Sequence, residues 1–141
     1  MTPTKAQLEI LYRATTFRVE TADDYIDIRI GQQHAKVDAV LSRLGAMEWA
    51  YVTAWNPGSR SMGADENALA QGELVRLIRD RRFEFYKGNG IPVENGWVPE
   101  QSIWIAGICR RDAGEVGRQF GQNAIVVGTL GGVAELVFCD V

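Results

Sequence analysis

Polar side chains suited to recognition gather at four places in this chain: Trp55-Asn56-Pro57-Gly58-Ser59, Asp65-Glu66-Asn67, Trp97 with Glu100 and Ser102, and Phe120-Gly121-Gln122-Asn123. Amides and hydroxyls read uncharged polar groups, and indoles wall off an apolar body, which together is the lining of a small-molecule site. Asn56, Ser59, Asn67, Ser102, Gln122 and Asn123 are therefore candidate ligand contacts, with Trp55 and Trp97 as apolar walls. Glu66 and Glu100 are the candidate catalytic carboxylates, because a carboxyl whose pKa is raised by burial works as a general base. No covalent nucleophile is indicated. Every cluster also has a structural reading. Asn56 and Ser59 suit turns, Asp65 suits a helix N-cap, Glu66 suits the positive end of a helix dipole, Gln122 and Asn123 suit a helix end, and Trp97 suits the roof of a core.

Other chemistries are removed by composition. His34 is the only histidine, so zinc sites built on two imidazoles are excluded, and Ser-His-Asp or Cys-His catalysis would have to use it. Its neighbours Gln32, Gln33 and Lys36 mark an exposed helix start instead. Cys109 and Cys139 form no CxxC pair and lie in apolar runs, as reduced core thiols do. No metal site is expected from these residues, although carboxylates for magnesium stay open. The Gly88-Asn89-Gly90 run is not GxGxxG, and GxxxxGK[ST] does not occur, so no nucleotide cofactor is expected. The formal net charge is -3, against the basic balance of a nucleic-acid binder. Arg76, Arg79, Arg81 and Arg82 crowd a helix C-terminus, where positive charge faces the negative end of the dipole. The opening MTPTKAQLEI lacks signal-peptide organisation and no apolar run is long enough to span a bilayer, so the expected location is cytoplasmic.

The elements that must position these residues follow from periodicity. At 141 residues the chain is expected to form one domain, 1–141. Thr4 with Gln7 forms a capping box for a helix over about 5–13. Segments 15–20 and 25–30 read as a hairpin joined by TADD, with Ile26, Ile28 and Ile30 on one face. Val37, Val40, Leu41 and Leu44 make a helix over 34–44, ended by Gly45. EWAYVTAW is apolar on both faces, as in a central strand covered on both sides. A twelve-residue polar loop follows, then a helix over 66–80 and a strand over 83–87. A connection over 88–100 leads into the strand run SIWIAGIC. Asp112 and Glu115 read as the capping box of a helix to about 120, and two strands joined by Gly-Gly end the chain. This order predicts an α+β fold, a mixed sheet with about four helices packed on it.

The pieces TAWNP.S and FGQNA, in order with Glu66-Asn67, YKGNG and GWVPEQS, resemble the domain-of-unknown-function 3293 family, a mainly bacterial group of small single-domain proteins. The resemblance runs from about residue 12 to 138 and implies no activity. It implies that Trp55, Asn56, Pro57, Ser59, Glu66, Asn67, Trp97, Glu100, Ser102, Phe120, Gly121, Gln122, Asn123 and Ala124 belong to the family's characteristic surface. Gln101 stands where an acidic residue is common in the family, which weakens a paired-acid or metal site at that position.

Two functions follow. The first is a pocket for a small polar metabolite formed by segments 55–67, 96–102 and 119–124. The alternative is a protein-interaction module without catalytic activity, such as a homodimer, using exposed aromatic and Arg residues with the terminal hairpin as pairing edge. Nucleic-acid binding ranks last, and no membrane partner is expected.

Overall fold

The structure is a computed structural model that describes residues 3–93 and 98–139. Its elements are α1 (Lys5–Ala14), β1 (Thr16–Glu20), β2 (Tyr25–Ile28), α2 (Ala35–Leu44), β3 (Glu48–Thr53), α3 (Ala64–Asp80), β4 (Glu84–Ile91), β5 (Glu100–Ala106), α4 (Arg110–Gln119), β6 (Ala124–Thr129) and β7 (Glu135–Phe138). A short 3-10 turn, Pro57–Ser59, follows β3. The order is the α+β order expected from the sequence.

Local chemistry sets most boundaries. The Thr4–Gln7 capping box forms in both directions, and Gly45 ends α2 in the left-handed region at φ 70°. Several boundaries differ from expectation; strand β5, for example, is Glu100–Ala106, so it begins before SIWIAGIC and ends before Cys109. Helix α4 starts at Arg110, because the Cys109 thiol sulfur accepts the Asp112 N–H at 3.4 Å and caps the helix before any Asp112–Glu115 box can form. Cys109 is accordingly half-buried, while Cys139 is buried in the core. Helix α3 starts at Ala64 behind Gly63, which leaves Asp65 and Glu66 in its first turn. Strand β4 continues through Gly88-Asn89-Gly90 to Ile91, so these residues are strand and not connection. His34 takes the N-cap position of α2, half-buried, with Nε2 accepting the Arg29 N–H at 3.0 Å.

The seven strands lie in the order β2-β1-β4-β5-β3-β6-β7, and every ladder is antiparallel. Strands β3 and β4 run the same way with β5 inserted between them, and β5 and β6 do so with β3 inserted. The two helical crossovers α3 and α4 are thus interleaved split β-α-β units. Among the described residues the sheet is mixed only through one parallel bridge, Ile30 with Ala134. That bridge joins the chain beyond β2 to the chain before β7 and curls the sheet, with Gly31 N–H donating to the Ala134 carbonyl at 2.8 Å.

Both faces are covered, as the doubly apolar β3 sequence requires. On one face Phe17, Val19, Trp49, Tyr51, Trp104 and Val126 pack beneath Val37 and Leu41 of α2, with Tyr12 of α1 beside them. On the other face Ala50, Val52, Ile103, Ile105, Ile125 and Val127 meet Leu74 and Ile78 of α3 and Val116 of α4. Helix α1 is fixed at its end by Arg29, whose guanidinium donates to the carbonyls of Arg13 (3.0 Å) and Ala14 (3.1 Å). Among the described residues, no helix is long and apolar enough to cross a membrane.

Candidate functional site

Strands β3 and β5 are neighbours, with Thr53 opposite Ser102, so the loop leaving β3 and the entry to β5 lie at one end of the sheet. The start of β6, the start of α3 and the end of α1 reach the same end. Among the described residues, members of all four polar clusters therefore meet at this end, and the question is what their side chains do there.

Asn56 is the hub. It holds φ 47° and ψ 60°, a left-handed conformation that asparagine tolerates better than most side chains. Its N–H donates to Asn67 Oδ1 at 2.9 Å, and its own Oδ1 accepts from Asn67 Nδ2 at 2.9 Å and from the Met62 N–H at 3.0 Å. Its Nδ2 donates to Glu100 Oε2 at 2.8 Å. Gln122 closes the other side of the loop, with Nε2 donating to the carbonyls of Trp55 (3.1 Å) and Phe120 (3.3 Å). The two loops touch directly where Gly58 N–H donates to the Gly121 carbonyl at 2.7 Å. Asn67 and Gln122 are buried, so each unmade bond would cost roughly 1–3 kcal/mol.

Glu100 is different. Oε2 is held by Asn56, while Oε1 has no hydrogen-bond partner among the described residues. Burial raises its pKa above the usual glutamate range, and the Asn56 amide opposes the rise. The Tyr12 phenol is also pushed up, first by burial and then by the Glu100 charge, and stays neutral. Because the folded carboxyl titrates above the unfolded one, its stabilising contribution is complete below the unfolded pKa and declines as pH rises through the folded value. Urea unfolding of wild type and Glu100→Gln from pH 4 to pH 8 is expected to show the wild type losing stability relative to the variant as pH rises. Parallel curves would mean that Glu100 is fully solvated.

The remaining candidates divide. Ser102 is buried and its hydroxyl donates to the Glu100 carbonyl at 3.0 Å. Trp55 is half-buried, and its Nε1 is buried with no partner among the described residues. Asn123 uses its carbonyl to accept the Cys139 N–H at 2.9 Å. Glu66 is exposed on α3, away from the Asn56–Asn67–Glu100 bonds. Ser59 closes the short turn, and its side chain lies outside what the structure describes; Trp97 lies outside the described residues. One member was missed: Gln71 is buried and its Oε1 accepts the Ala54 N–H at 3.1 Å. Its signal was present, since Asn67 and Gln71 occupy the same helical stripe as Leu74 and Ile78, and a polar residue on an inward stripe must have a partner. No group of three or more His, Cys, Asp or Glu side chains among the described residues is placed to hold a metal ion.

The protein-family comparison matches residues 52–125, just over half of the chain, to a family described as protein of unknown function, DUF3293. The chain belongs to this DUF3293 family. The match runs from within β3 to the start of β6, the interleaved part of the sheet, and holds Asn56, Asn67, Gln71, Glu100, Ser102 and Gln122. Helices α1 and α2 and strands β1, β2 and β7 lie outside the segment matched to DUF3293. Searches of curated proteins and of solved structures give no match.

Proposed function

We propose that this protein binds a small polar metabolite at the end of the sheet where segments 55–67, 98–102 and 119–124 lie, with Glu100 as the group that receives it. The observation that supports this reading is the division of labour among the polar groups. Asn56, Asn67, Gln71 and Gln122 are spent on one another and on the backbone, and Asn56 holds in place a half-buried carboxylate whose other oxygen has no partner among the described residues. In this reading the amides are scaffold and not ligand contacts. Glu100 is then the group for accepting a hydrogen bond or a proton, in preference to the exposed Glu66.

A thermal-shift screen of polar metabolites against wild type and Glu100→Gln tests this. At least one compound is expected to stabilise the wild type, with affinity falling tenfold or more in the variant while the unliganded folds remain alike. Binding that is equally tight in both proteins would remove Glu100 from the site.

A further inference from the structure

Two glycines of β4 stand on one face of the sheet, and only one of them is explained by its neighbours among the described residues. The ladders place Val19, Gly88 and Ser102 in one row and Phe17, Gly90 and Glu100 in the next. Residues directly opposite in antiparallel strands share a face, so these rows face the α1–α2 side with Phe17 and Val19. At Gly88 a Cβ would lie 2.7 Å from the Tyr51 hydroxyl and on top of the Arg18 carbonyl oxygen to which that hydroxyl donates at 2.8 Å. Gly88 is therefore required for packing. Gly90 has no positive φ, and a Cβ there would meet, among the described residues, only the Glu100 carbonyl oxygen at 4.0 Å. A strand glycine with neither a packing reason nor a positive φ is one of the places where a ligand can approach the backbone.

Glu100 stands opposite Gly90 on one side, and its Oε1 has no partner among the described residues. Phe17 stands opposite Gly90 on the other, with Tyr12 stacked on it at 6.3 Å between centroids and Tyr51 against its edge at 5.3 Å. Two strand spacings set about 10 Å between the Phe17 and Glu100 backbones, with Gly90 between them.

We propose that the space over Gly90 receives the head group of a primary alkylammonium ligand, which donates to Glu100 Oε1 and sets its charge beside Phe17 and Tyr12. This rests on the reading of Glu100 given above and names its ligand class. A carboxylate and aromatic rings both favour a cation. An anion would be repelled by Glu100, and a neutral alcohol would satisfy Oε1 while gaining little from the rings. The acidic wall comes from the family-matched segment, whereas Phe17 and Tyr12 come from outside it.

The test titrates butylammonium, 1-butanol and butyrate into wild type, Gly90→Val and Glu100→Gln, followed by backbone amide chemical shifts at pH 7.5. Valine suits a strand, and its Cβ meets no described atom closer than 4.0 Å at Gly90; Gly90→Ala is the smaller filling if valine disturbs the fold. Butylammonium is expected to bind at least tenfold more tightly than 1-butanol, and to weaken at least tenfold in both variants while their spectra stay folded. Butylammonium binding unchanged by either filling of Gly90 overturns the location. Tighter binding of 1-butanol, lost in Glu100→Gln, overturns the cation class and leaves the polar-ligand reading standing. No binding by any of the three overturns the proposal, and the wider metabolite screen with Glu100→Gln then decides the polar-ligand reading separately.

Discussion

Gly128→Ala should destabilise the protein by about 3 kcal/mol, a severe cost for one methyl group. Gly128 lies opposite Trp49 in the β3–β6 ladder, and the indole crosses the space above it. A Cβ there would stand 2.5 Å from Trp49 Nε1 and as close to two ring carbons. Trp49 is 3% exposed and has Trp104 beside it at 6.3 Å between centroids, so the ring has nowhere to swing. The matched control is Gly72→Ala on α3, where nothing lies within 4 Å. That change should stabilise by up to about 1 kcal/mol, because alanine is the better helix former. Urea denaturation of both variants reads the difference. A Gly128→Ala protein within about 1 kcal/mol of wild type would show that the Trp49 layer can repack.

Asn67→Ala is the second large loss, again about 3 kcal/mol, and here the cause is orphaned polar groups. The substitution removes the acceptor of the Asn56 N–H and the donor to Asn56 Oδ1, in a site where Asn67 is 3% exposed. Asn56 would then relax, and with it the amide that holds Glu100. Asn67→Asp should fall between wild type and alanine, since it keeps the acceptor but sets a carboxylate oxygen against Asn56 Oδ1. Urea denaturation checks the order, and limited proteolysis checks its place, with faster cleavage expected within 56–63. Equal stability of all three proteins would mean that water replaces the Asn56–Asn67 pair without cost.

These two effects mark where the sequence was legible and where it was not. The order of helices and strands could be read because YIDIRI alternates, the Val37–Leu44 stripe repeats at helical spacing, and EWAYVTAW is apolar on both faces. Where a residue type has two uses, reading failed. Gly88 and Gly90 look like turn residues, yet they lie in a strand, and at Gly88 the reason is a tyrosine hydroxyl arriving from β3. Cys109 looks like a core thiol, yet its sulfur caps a helix. The polar clusters could be seen to sit at strand ends, and their convergence follows once β3 and β5 are neighbours. Their mutual satisfaction could not be seen, because it depends on Asn56 entering the left-handed region and folding back on Asn67.

The bridge between Ile30 and Ala134 also orders events in time. As the chain is made, the β1–β2 hairpin emerges first, but its next neighbour β4 follows only after α2, β3 and α3. Strand β3, at the centre, waits for β5 and then β6, and the curl waits for Ala134. Contacts so distant in sequence form slowly, since loop closure must precede the reward of pairing. An unfinished chain would carry open strand edges, which invite other chains. Arrival of the segment around Ala134 is therefore the step that turns an adhesive intermediate into a closed molecule.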